Sequence, residues 1–208
     1  MAEGTMHFLL ASRNRHKIRE LEDILAADIS GVAVHSLDEV GFAGDIDENG
    51  TTFDENARIK ARVARAAALR AGHPDWYCLG DDSGLSVDAL GGAPGVYSAR
   101  FAGQHGDDAA NNALLLQKLT GVPAAERGAH FLCCIACITP DGRELTVWGD
   151  CPGVLLDAPR GQDGFGYDPL FYLPDAGMTF AELSGARKNA VSHRGRALAA
   201  LADALGKH

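Results

Sequence analysis

Residues 77–101, YCLGDDSGLSVDALGGAPGVYSARF, limit what this chain can fold into more than any other stretch. A short apolar run at 76–79 reads as a buried strand that ends at Gly80 and delivers two adjacent carboxylates, Asp81 and Asp82, into a turn closed by Ser83 and Gly84. Leu85, Val87 and Ala89 then alternate with Ser86 and Asp88, the pattern of a second strand with one buried face. It stops at Gly91-Gly92-Ala93-Pro94-Gly95, which cannot continue a ladder and lets backbone come close to a ligand or another strand. Two readings of the acid pair stand side by side. Asp, Ser and Gly are ordinary turn residues; acids at a strand end are also where chemistry is commonly placed.

The rest of the chain supplies possible partners for those acids. Residues 7–11 (HFLLA) read as a first buried strand running into Ser12-Arg13-Asn14-Arg15-His16-Lys17, followed by a helix with Ile18, Leu21, Ile24 and Leu25 on one face. A strand, polar turn and helix start aim backbone N–H groups at an anion, with donors added by Ser12, Asn14 and Lys17. The alternative is that Asn14 merely caps the helix and the cations are solvated. A second strand is expected at 32–34, then an acidic loop ending in Asp45-Ile46-Asp47-Glu48-Asn49-Gly50. Thr52-Phe53-Asp54-Glu55 is a capping box opening a helix to about Ala71, with Ile59, Val63, Ala66 and Ala67 as its apolar stripe. Asn56 and Lys60 share one face of it, near the acidic loop.

Asp107 or Asp108 caps a helix carrying Leu115, Leu116 and Leu119. Residues 129–139 and 144–149 form a hairpin about the turn Pro140-Asp141-Gly142. The loop Gly161-Gln162-Asp163-Gly164-Phe165-Gly166-Tyr167-Asp168-Pro169 carries aromatics that either cover a core edge or stack on a nucleobase, an interaction worth about 1–3 kcal/mol. Arg187, Lys188, His193, Arg194 and Arg196 gather before or at the start of a last helix striped by Leu198, Leu201 and Leu205. Cations there oppose the helix dipole, so they are solvated or matched by an anionic ligand. Early alternation of strands and helices followed by a hairpin gives an α/β fold, a mixed sheet flanked by helices.

Composition narrows the function classes. The formal net charge of −9 argues against a duplex nucleic-acid partner, which needs a broad basic face. It leaves room for one phosphorylated small molecule. No apolar run approaches a membrane span, and no export signal opens the chain, so a cytoplasmic protein is expected. Residues 1–5 are expected to be a disordered tail and 6–206 one domain, with enough length for two lobes around a cleft. Cys134 and Cys137 form a C-x-x-C, but residues three apart on a strand face opposite sides and no second pair stands at zinc spacing, so the five cysteines read as core thiols.

Two acidic loops and two basic ones have a consistent joint chemistry. Carboxylates at loop ends suit a hard cation such as Mg²⁺, and basic loops suit phosphate oxygens. S-x-N-x-x-K at 12–17, T-F-x-E-N-A at 52–57, DDSGL-x-VDALGGAPGVYSARF from Asp81, GFGYDP from Gly164 and SHRG from Ser192 resemble the inosine/xanthosine triphosphate pyrophosphatase family, in order and over nearly the whole chain. The resemblance implies Mg²⁺-dependent hydrolysis of ITP, dITP and XTP to the monophosphate and pyrophosphate. It further implies an elongated mixed-sheet fold with two lobes around a nucleotide-binding cleft, and a homodimer. By position it makes Asp82 the proton acceptor and a metal ligand, with Lys17 as the second catalytic group and Asp47 or Glu48 as the further acid on the metal. Ser12, Arg13, Asn14, Arg15, His16 and Lys17 would hold phosphates; Ser83, Phe165, Gly166, Tyr167, Asp168, Lys188, His193 and Arg194 would hold the rest of the nucleotide. Arg13 stands where many members carry glycine, and Asp47 where glutamate is common. A broader-specificity pyrophosphatase and a non-catalytic nucleotide sensor are the rival readings.

Overall fold

The computed structural model describes residues 4–206. Of the expected tail, residues 1–3 lie outside the described residues, while Gly4 and Thr5 are exposed and lead into the first strand. In chain order the elements are β1 (Met6–Leu10), α1 (Arg15–Asp28), β2 (Val32–Ser36), α2 (Phe53–Arg70), β3 (Tyr77–Val87), α3 (Asp108–Lys118), β4 (Gly128–Ile138), β5 (Glu144–Leu155), β6 (Phe171–Leu173), β7 (Met178–Thr179), α4 (Gly185–Val191) and α5 (His193–Ala204). The strands form one sheet in the order β2-β1-β3-β4-β5-β6-β7. β1 runs parallel to both β2 and β3, whereas β6 is antiparallel to β5 and β7, so the sheet is mixed and the fold is α/β. Parallel neighbours cannot be joined by a hairpin, and helices α1 and α2 supply the crossovers. In β1, Phe8, Leu9 and Leu10 are all buried, as expected of a strand covered on both faces.

The chain divides into two compact units. One comprises Met1–Asp82, Cys133–Gly149 and Arg194–His208; the other comprises Ser83–Leu132 and Asp150–His193. Each has its own core. In the first, Phe8, Leu10, Leu79 and Ile135 meet Leu21 and Leu25 of α1 and Leu198 and Leu201 of α5. In the second, Leu85, Val87, Phe131 and Phe171 meet Leu115 and Leu119 of α3. All five cysteines are buried thiols.

The central stretch departs from its expected form. No turn interrupts it: β3 runs unbroken from Tyr77 to Val87, and Asp81 and Asp82 lie in mid-strand. Gly80 and Gly84 serve close approach instead of a turn. A Cβ on Gly80 would lie 2.0 Å from the Ala57 carbonyl oxygen of α2, and one on Gly84 would lie 2.4 Å from Ser98 Oγ. Local propensity for a turn has been overridden by packing.

The buried face of α2 is also rotated from the expected stripe. Phe53, Ala57, Ala61, Ala64, Ala67 and Ala68 are buried together with the polar Asn56 and Lys60, while Ala66 is exposed. An alanine face lets the helix come down onto Gly80. Its polar members are buried because β3 presents a carboxylate to them. The expected capping box is present: Thr52 accepts from the Glu55 N–H while Glu55 accepts from the Thr52 N–H.

Candidate active site

Two neighbouring carboxylates on β3 are treated in opposite ways by the first unit. Asp81 is met by cations from both ends of the chain: Lys17 Nζ lies 2.5 Å from Oδ1, and Arg194 Nε lies 2.8 Å from Oδ2. Glu20, one turn beyond Lys17 on α1, takes the Nη1 of Arg194. The Cys133 thiol donates to Asp81 Oδ2 at 3.5 Å. Arg194 and Asp81 are each about 1% exposed at the side chain. Burial opposes the charge on Asp81, yet the Arg194 guanidinium and the Lys17 ammonium hold its carboxyl well below the usual carboxylate range. The cations at the start of α5 suggested solvation or an anionic ligand; Arg194 instead meets two carboxylates of the protein itself.

Successive side chains of a strand point to opposite faces, so Asp82 looks away from this cluster toward α2. Its Oδ1 lies 2.7 Å from Lys60 Nζ, and the same ammonium lies 2.7 Å from Glu48 Oε2. Asn56 Nδ2 donates to the other Asp82 oxygen at 3.3 Å. Burial pushes the Asp82 carboxyl up, and Lys60 offsets this only in part. Burial likewise opposes the charge on Lys60, but Asp82 and Glu48 hold it protonated. Of the two acids expected at the metal, Glu48 therefore stands with Asp82, while Asp47 is exposed and accepts from Asn49 Nδ2 at 3.1 Å.

Lys60 is the functional group that motif reasoning left out of the site. Its signal was legible: it follows Asn56 by one helical turn, beyond a capping box, beside an acidic loop. Glu20 carried no comparable signal, because its partner Arg194 lies 174 residues away in sequence.

The loop before α1 is ordered by its own side chains. Asn14 Oδ1 accepts from the N–H groups of His16 (2.9 Å) and Lys17 (3.3 Å), and Ser12 Oγ accepts from the Asn14 N–H (3.1 Å). The capping role weighed for Asn14 is thus present. Arg15 and His16 are exposed in the first turn of α1. Arg13 reaches the acidic loop, donating to Asp38 Oδ1 at 3.0 Å and to the Gly44 and Phe42 carbonyls at 2.8 and 3.1 Å. The residue that departs from the expected glycine therefore ties down the segment leading to Glu48.

In the second unit the glycine-rich loop folds around Asp168, whose Oδ2 accepts from the Phe165 N–H at 2.9 Å and from Lys188 Nζ at 2.7 Å. Gly164 has φ +79°, and a Cβ there would lie 2.2 Å from that carboxylate oxygen, so only glycine fits. Lys188 also sits 4.8 Å over the Phe165 ring. Tyr167 donates its hydroxyl to the Ser98 carbonyl at 2.9 Å, and burial pushes that phenol up. His193 is buried and stacks on Phe131 with centroids 4.8 Å apart. Ser83 lies half-buried in β3.

The Ham1 family model matches residues 8–204. The dITP/XTP pyrophosphatase of Nocardia farcinica is 52% identical over 199 residues, covering 95% of this chain and 93% of that protein. That of Clostridium perfringens is 48% identical over 198 residues, covering 95% and 96%. Among solved structures, a HAM1 protein from Coxiella burnetii superimposes with a TM-score of 0.81 at 40% identity, covering 97% of this chain and 99% of that one.

Proposed function

The chain belongs to the Ham1 family, and on that premise we propose that it hydrolyses the noncanonical purine nucleoside triphosphates dITP, ITP and XTP to the monophosphate and pyrophosphate. The single observation that carries the reading at the level of residues is the division of labour between Asp81 and Asp82. A carboxyl pushed up by burial is a better proton acceptor than an ordinary one, and a neighbour held ionised by two cations is a fixed anchor.

In this reading Asp82 orients and deprotonates a water for in-line attack on a phosphorus of the triphosphate. Lys17 brings one positive charge to the phosphate chain, and its position is set by Asp81. Arg194 enters through Asp81 and Glu20, the carboxylates that hold it. Phe165, Gly166, Tyr167, Asp168, Lys188, His193 and Ser83 belong to recognition of the nucleotide. The hypoxanthine and xanthine C6 carbonyl is an acceptor where adenine has a donor, so pocket donors favour the former bases. A site built for hydrogen bonding discriminates strongly because the wrong base leaves buried groups unpaired.

Magnesium dependence rests on the donor set. Glu48 and Asp82 direct hard carboxylate oxygens at one shared cation, the Lys60 ammonium, and this pairing suits a divalent ion that takes one or two carboxylates. Bound there by Asp82 and Glu48, Mg²⁺ would neutralise charge developing on phosphate oxygens. We infer further that the protein acts as a cytoplasmic homodimer; among the described residues no helix is long and apolar enough to cross a membrane.

The deciding experiment measures pyrophosphate release from dITP, XTP, GTP and ATP, with Mg²⁺ and with excess chelator. Release from dITP and XTP that needs the metal is expected. Equal turnover of all four nucleotides would refute the selectivity, undiminished turnover in chelator would refute the metal requirement, and no release would refute the activity.

A further inference from the structure

The nucleotide loop has a second set of supports that no motif announces. Helix α3 reaches it with two side chains one turn apart, and both end on Gly166. Asp108 Oδ2 accepts the Gly166 N–H at 2.7 Å, and Asn112 Nδ2 donates to the Gly166 carbonyl at 2.8 Å. Asn112 Nδ2 also donates to the Asp108 carbonyl at 2.9 Å, so its amide is fixed in one orientation. Gly166 sits at φ +61°, in the left-handed region, and a Cβ there would point into open space. Its own N–H and C=O groups are both held by these hydrogen bonds.

Gly166 lies between Phe165, which carries Lys188 over its ring, and Tyr167, which is anchored on Ser98. Fixing both polar groups of the middle residue fixes the peptide planes on either side, and with them the direction of the Phe165 ring. We propose that Asp108 and Asn112 are positioning residues for nucleobase recognition: they act through Gly166 to hold the Phe165–Asp168 loop in its binding conformation. The proposal rests on the reading of that loop as the nucleotide-binding segment. A loop ordered in advance loses less freedom when the nucleotide arrives, so the effect belongs in binding and in base discrimination.

Asp108 is exposed, so Asp108→Ala can be made without emptying a core. Asp108→Asn keeps an acceptor oxygen for the Gly166 N–H. Steady-state kinetics on dITP and GTP, together with hydrogen–deuterium exchange over residues 161–168, form the test. Asp108→Ala and Asn112→Ala should each raise KM for dITP about tenfold, as for losing one hydrogen bond to a charged or fixed partner. They should also narrow the dITP-over-GTP preference, leave kcat within about threefold and speed exchange in the loop. Asp108→Asn should restore most of the loss. Unchanged KM and preference overturn the proposal, whether or not exchange quickens; so does a loss confined to kcat, or failure of Asp108→Asn to rescue. A wild-type protein that releases no pyrophosphate from dITP would instead refute the function on which the proposal stands.

Discussion

Asp81 and Asp82 are neighbours on one strand, yet the two sides of β3 ask different things of them. Asp81 faces Lys17 of α1 and Arg194 of α5, with the Cys133 thiol of β4 donating as well, and its charge is met by two cations, of which Arg194 is shared with Glu20. Asp82 faces α2, where a single lysine is shared with Glu48. The first environment lowers a carboxyl and the second raises one. Identical side chains a peptide bond apart thus become one carboxyl held ionised and one whose charge burial opposes, because a strand sends successive side chains to opposite faces.

The comparison breaks most visibly at Asp82. Asp82→Asn keeps the shape and the Asn56 contact but removes the proposed proton acceptor, so turnover of dITP should fall by about 10²–10⁴-fold. Relief of the buried Asp82 charge is offset by the loss of one of the two carboxylates facing buried Lys60, so the variant should melt close to the parent at neutral pH. Retained turnover would remove Asp82 from its role; a large drop in melting temperature would show that the carboxylate is an anchor like its neighbour.

On the other side the loss is in stability. Arg194→Met leaves Asp81 and Glu20 short of a buried counter-charge and should cost about 3–5 kcal/mol in denaturant unfolding. The double variant Arg194→Met, Asp81→Leu should recover part of that, because it removes the stranded charge as well. The pH dependence has a definite sign. Asp81 is depressed in the fold, so its contribution is complete above the unfolded carboxylate pKa, about 3.9, and is lost as pH falls through the lower folded value. Asp82 is raised, so the cost of its charge is relieved as pH falls through its folded value. Acid titration of the double variant should therefore show a shallower loss of stability below about pH 4 than the parent. An equal slope in both would mean that Asp81 does not titrate with folding.

Gly80 is where this geometry was hidden from the sequence. Gly80-Asp81-Asp82-Ser83-Gly84 has the composition of a turn, and nothing local distinguishes a glycine that bends the chain from one that admits the Ala57 carbonyl of α2. The anchor was equally illegible, since Arg194 lies 113 residues from Asp81 and its pairing exists only once α5 has docked. What could be read was whatever a few neighbouring residues decide: the Thr52–Glu55 capping box, the Asp107 cap of α3, and the apolar faces of α1 and α5. Gly80→Ala tests the distinction. It should destabilise by about 1–3 kcal/mol, as overpacking does, through the α2 contact. A neutral result would restore the turn reading.

The smallest expected effect separates the two acids before α2. Asp47 is exposed and bonded to Asn49, whereas Glu48 shares Lys60 with Asp82. Asp47→Asn should leave stability within about 0.5 kcal/mol, as surface substitutions do, and should leave the Mg²⁺ concentration for half-maximal activity unchanged. Glu48→Gln should raise that concentration, because it removes half of the charge gathered around Lys60. The shift tells whether the side of β3 that carries Asp82 is also the side that binds the proposed metal. If Asp47→Asn moves the metal requirement and Glu48→Gln does not, the acidic loop must turn over when the ion binds, and the Glu48–Lys60 pair belongs only to the metal-free protein.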